Sequence, residues 1–131
     1  IETGATYTIA ADLGSFSGQK PAVISVLGEE SQITKWANFL KIVAQKFYEA
    51  DPGVFKELLS YEGFPGKRAV VAETSEGMKR SYKVDENLYV ALNYDTEDIL
   101  KIIKCIVEYF DSTTDSNYAD DIWFTIRKKD E

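Results

Sequence analysis

Few residues of this chain have both the type and the spacing to do chemistry. The densest group is Lys79-Arg80-Ser81-Tyr82-Lys83, where cations flank a tyrosine, with Lys67 and Arg68 shortly before it. Cations interleaved with an aromatic ring suit a phosphate backbone with a base stacked beside it. Trp123 joins them as a candidate contact, since in the alternating run Ile122 to Arg127 it lies on the side opposite Ile122 and Phe124. Trp36 instead shares the apolar stripe of its helix and is expected to anchor the core.

Carboxylates are the second chemistry. Glu73, Asp85 and Asp120 or Asp121 would form an acid-only constellation if the fold brought them together, although surface acids are the expected reading in a chain of net charge -7. Restriction-type nucleases need an Asp/Glu-x-Lys pair to hold a metal ion and orient water, and that spacing is missing here. Asp111-x-x-x-Asp115-x-Asn117 has part of a calcium loop, but Ser116 stands where glycine is needed and Ile122 where glutamate is. A solvated loop is expected there. Gly66-Lys67-Arg68 ends like a phosphate-binding loop, yet Tyr61 replaces its first glycine and Arg68 its metal-binding hydroxyl. No cofactor and no metal site are expected.

Histidine is absent and Cys105 is the single cysteine among 131 residues. Without histidine the chain lacks the usual neutral-pH acid/base and the commonest transition-metal ligand. One thiol closes no intrachain disulfide and no multi-thiolate zinc site, so a reducing, cytoplasmic setting fits. Cys105 lies among Ile102, Ile106 and Tyr109, where a structural thiol is expected rather than a nucleophile. No uncharged apolar run approaches the roughly 20 residues that cross a bilayer, and Ile1 to Ala11 lacks the pattern of a signal peptide.

The elements that must position these groups read as follows. Thr6 to Ala10 is a strand, Gly14 to Gly18 a connector, and Ala22 to Leu27 a strand apolar on both faces that stops at Gly28-Glu29-Glu30. Ser31 to Ile33 adds a short extended piece. Thr34 then caps a helix over Lys35 to Glu49, with Trp36, Phe39, Leu40, Val43 and Phe47 at helical spacing. Asp51-Pro52 starts a short helix near Gly53 to Ser60, with Phe55, Leu58 and Leu59 facing inward. After the Gly63 to Gly66 turn come strands at Ala69 to Glu73, Ser81 to Val84 and Leu88 to Leu92.

A helix capped by Asp95 or Thr96 runs to about Phe110, apolar over most of its circumference. It needs cover from the first helix or from a second subunit. A polar linker, Asp111 to Asp121, precedes the last strand, Ile122 to Arg127. The order predicts an α+β fold in one domain over residues 1–131: a single layer of mixed, mostly antiparallel sheet with two main helices and one short helix packed on one face. The start at Ile1 and the charged run Arg127 to Glu131 suggest an excised or processed part of a longer protein.

Charge is unevenly spread. Residues 67–83 hold five cations against two acids, whereas 84–126 hold two against ten. The basic strip Lys67, Arg68, Lys79, Arg80 and Lys83 could be extended by Arg127, Lys128 and Lys129, or could simply balance acids and protect an edge strand.

Several landmarks together resemble a small uncharacterised bacterial domain of restriction-type and mobile-element proteins. They are Lys20-Pro21, the Trp36 helix ending before Asp51-Pro52, Gly66-Lys67-Arg68, and Leu88-Tyr89-Val90 followed by Asn93 and Ile99. The resemblance implies a bacterial accessory domain associated with nucleic-acid metabolism, and it implies no catalytic set. The expected function is a non-catalytic protein-interaction or oligomerisation module, its partner another protein or a second copy. The alternative is an accessory domain touching nucleic acid through residues 67–83. An acidic mimic of nucleic acid, seated in another protein's basic groove, is a further alternative.

Overall fold

The computed structural model describes residues 3–10, 16, 18–66 and 69–127. Among these residues seven strands, β1 (Thr3–Thr8), β2 (Pro21–Val26), β3 (Glu29–Gln32), β4 (Val71–Ala72), β5 (Ser81–Asp85), β6 (Leu88–Ala91) and β7 (Trp123–Arg127), accompany three helices. These are α1 (Trp36–Ala50), α2 (Pro52–Glu57) and α3 (Thr96–Thr114). The fold is α+β, with two main helices and one short one. Its strands divide between a four-stranded sheet, β1-β7-β2-β3, and a three-stranded sheet, β4-β6-β5, and every pairing is antiparallel.

Local chemistry accounts for the element boundaries. Val26 pairs with Glu29 across a two-residue turn in which Leu27 (φ 51) and Gly28 (φ 86) are both left-handed, the hairpin geometry that matches strand twist. Glu29 and Glu30, expected in that turn, therefore belong to β3. Asp51 accepts the Val54 N–H at 3.1 Å and caps α2, while Pro52 fits its first turn. Asp95 caps α3 in the same way, accepting from the Asp98 N–H at 2.9 Å. The linker expected from Asp111 divides: its first four residues continue α3, and Tyr118–Asp121 form a 3-10 turn. Asp111 holds the two pieces together, its carboxylate accepting the N–H groups of Tyr118 (2.7 Å) and Ala119 (3.1 Å).

The core lies between the helices and the sheets. Phe124 of β7 meets Tyr7, Phe16, Trp36 and Phe39 with ring centroids 5.3–5.7 Å apart. A second aromatic group joins Phe47 of α1 to Phe110 of α3 and to Tyr118, at 4.8 and 5.3 Å. Ile99, Leu100, Ile102, Ile103, Ile106, Val107 and Phe110 are all buried, and α1 lies beside α3. The apolar circumference of α3 is thus covered from within the chain. Leu59, expected inward, is 37% exposed because the chain tightens into a 3-10 turn at Leu58–Ser60 and swings it out. No described helix is long and apolar enough to cross a membrane.

Candidate functional site

The two main helices run in the same direction. Phe47 and Phe110, near their C-termini, are in ring contact, while Trp36 and Ile99, near their N-termini, line one cavity. That cavity, of about 630 Å³, is bounded by the residues that open four elements: Lys20 before β2, Lys35 before α1, Arg80 before β5, and Asp95 before α3. All three cations are exposed, and none forms an ion pair with a described residue. Asp95 is the one acid among the described lining residues, and its Oδ1 serves as the α3 cap.

α1 begins against the usual rules. Thr34 does not cap it; the N-cap is Lys35, which makes no side-chain capping bond, and no acid stands in the first turn. A helix N-terminus carries about half a positive charge, so a lysine there is repelled where Ser, Asp or an anion would be attracted. Three cations are therefore concentrated where the backbone is already electropositive. An anion in the cavity would relieve both.

The strip expected from the sequence maps onto this end only in part. Lys67 and Arg68 lie outside the described residues, as do Lys128 and Lys129. Lys79 and Arg80 are exposed beside the edge strand β5, and Arg80 turns into the cavity. Lys83 reaches Glu86 at 3.4 Å and is partly neutralised. Tyr82 points to the other face of β5, half-buried against the core, with Lys41 Nζ 5.2 Å from its ring centre, so its face is already occupied. Lys20 and Lys35 belong to no charge run, so charge patterning does not mark them. Their one signal is position, each directly before an apolar element.

Trp123 lies on β7 in the other sheet, half-buried, and lines a separate cavity of about 690 Å³ with Asp120, Asp121, Tyr118 and Ala50. The fold separates it from Arg80. Glu73 and Asp85 do not line that cavity, so the acid-only constellation does not assemble there. Among the described residues, no group of three acids or thiols is placed to hold a metal ion.

The remaining titratable groups have local explanations. Tyr48 hydroxyl donates to Asp85, and this bond, aided by the Glu86 N–H, holds the Asp85 carboxyl below its ordinary range. Burial pushes the Cys105 thiol up; its Sγ lies 3.6 Å from the Gly63 carbonyl oxygen and the side chain is half-buried, a protonated and poorly nucleophilic setting. Tyr109 hydroxyl donates to Glu57 at 2.7 Å, which raises the Tyr109 pKa.

No protein-family model matches the chain, and no curated protein and no solved structure matches it at a significant level.

Proposed function

We propose that this chain is a non-catalytic binding module whose working surface is its cationic end and whose partner is a polyanion, with nucleic acid the chemical class. The observation that carries the reading is the convergence of Lys20, Lys35 and Arg80, from three separate elements, on one cavity without ion-pair partners among the described residues. A chain of net charge -7 has carboxylates enough to pair every cation. Without ion-pair partners among the described residues these three stay available, and neutralising phosphates with them releases condensed counterions, the main driving force of such binding. The resemblance to domains of restriction-type and mobile-element proteins supports the same partner. This takes up the nucleic-acid alternative drawn from the sequence in place of the protein-interaction module, with Lys20 and Lys35 joining Arg80 instead of the whole 67–83 strip.

The test is binding of a labelled oligonucleotide at several salt concentrations. Affinity is expected to fall steeply with salt, and K35E combined with R80E is expected to lower it about a hundredfold at low salt. Absence of binding at low salt, or binding indifferent to both substitutions, would remove the proposal.

A further inference from the structure

We infer that the cavity between Lys20, Lys35 and Arg80 takes a terminal phosphomonoester, the phosphorylated end of a nucleic-acid strand, in preference to the internal phosphodiesters along it. This deepens the reading of the cationic end as a polyanion-binding surface and rests on it. Three features of the cavity carry the inference.

The first is shape. A surface that tracks a backbone is an extended stripe of cations, whereas here the cations come from three elements onto one open depression of about 630 Å³. Lys83, which would have extended the stripe along β5, is instead drawn to Glu86. The second is charge. Among the described residues the lining holds three cations and one carboxylate, Asp95, whose oxygen is engaged in capping α3; Glu97 and Asp98 follow on the helix but stay out of the lining. That excess of two positive charges matches a terminal phosphate, which carries between one and a half and two negative charges at neutral pH, better than a diester with one.

The third is what surrounds the cations. Trp36 lines the cavity, but it is 7% exposed and its indole N–H is given to the Gln19 carbonyl at 2.9 Å. Tyr82 has Lys41 over its ring. Trp36 and Tyr82 thus offer no free face to a base, and Tyr94, the other ring in the lining, is half-buried, so the cations make the phosphate the main part of the ligand that is read.

The experiment uses the full chain and a single strand of about ten nucleotides, labelled at its 3′ end and carrying either a 5′-phosphate or a 5′-hydroxyl. Fluorescence anisotropy is expected to show the phosphorylated strand binding about tenfold tighter, since a terminal phosphate offers further charge-assisted hydrogen bonds. Lys20→Glu, Lys35→Glu and Arg80→Glu should each remove that preference. Lys101→Glu, an exposed cation of α3 outside the cavity, should preserve it, and circular dichroism of every variant checks that the fold is intact. Equal, salt-sensitive binding of both strands overturns the terminal-phosphate inference and leaves the polyanion reading standing. A nucleoside monophosphate that binds while neither strand does upholds the phosphomonoester pocket and overturns the polyanion reading. If nothing binds, both fall.

Discussion

The two ends of α1 carry opposite charges, and neither suits the helix. Lys20, Lys35 and Arg80 gather at its N-terminus; Asp120 and Asp121 line the cavity at its C-terminus, about 20 Å away by the rise of 15 residues. Helix dipoles favour the reverse arrangement, and the last turns of both α1 and α3 lack any basic residue. α3 obeys the rule at its own start, with Asp95, Glu97 and Asp98. The same chain thus caps one helix well and leaves the other uncapped beside cations. Broken local rules are commonest at functional sites, and the missing N-cap of α1, beside three cations, is the break on which the proposed binding rests.

Packing does not distinguish the ends, and the largest predicted effect tests that. Phe124→Ala at the aromatic cluster around Trp36, and Phe110→Ala at the cluster around Phe47, should each cost about 3–5 kcal/mol in denaturant unfolding. A single shared transition is expected in both variants. If one end melted apart from the other, the comparison would be between two units rather than two poles of one.

Next in size is the tie at the acidic end. Asp111→Ala frees two backbone N–H groups at the 3-10 turn and should cost about 1–2 kcal/mol, with no change in oligonucleotide affinity. Loss of binding in this variant would show that the poles are coupled.

A smaller effect sharpens the contrast most directly. Lys35→Ser supplies the missing N-cap and should stabilise the protein by about 0.5–1 kcal/mol while weakening polyanion binding. Opposite movements of melting temperature and affinity are the signature of a residue kept for its charge. If both fell, Lys35 would be structural.

The smallest effect is one of pH. The Tyr48 hydroxyl keeps Asp85 ionised below its ordinary value of 3.8, so the folded chain binds fewer protons than the unfolded one in that interval. This contribution is complete above the ordinary value and lost as pH falls through the lowered one. Tyr48→Phe should therefore be slightly less stable at neutral pH, and the gap should close in strong acid; a gap that widened there would reverse the assignment.

The sequence made the helices plain and the site obscure, for physical reasons. Trp36, Phe39, Leu40, Val43 and Phe47 announce α1 because a buried helical face repeats every three to four residues. The helical turn from Asp111 to Thr114 was hidden because it is polar, and no periodicity marks an exposed turn. The split of the strands into two sheets depends on which edges pair, which alternation within a strand does not encode. Lys20 and Arg80 are 60 positions apart and meet only because β2 and β5 begin at the same end. A run of cations along the chain pointed to Arg80; the fold supplies its neighbours.

The order of the larger sheet bears on how this protein is made. β7, the last described strand to leave the ribosome, lies between β1 and β2, where Phe124 pairs with both Tyr7 and Ile24. Until it arrives, the N-terminal strands present open, hydrogen-bond-hungry edges to their surroundings. Synthesis must run nearly to the end of the described chain before the sheet closes. Pairings of such long sequence separation fold slowly. A nascent chain stalled short of Trp123 should be a client of chaperones, and a finished one should not.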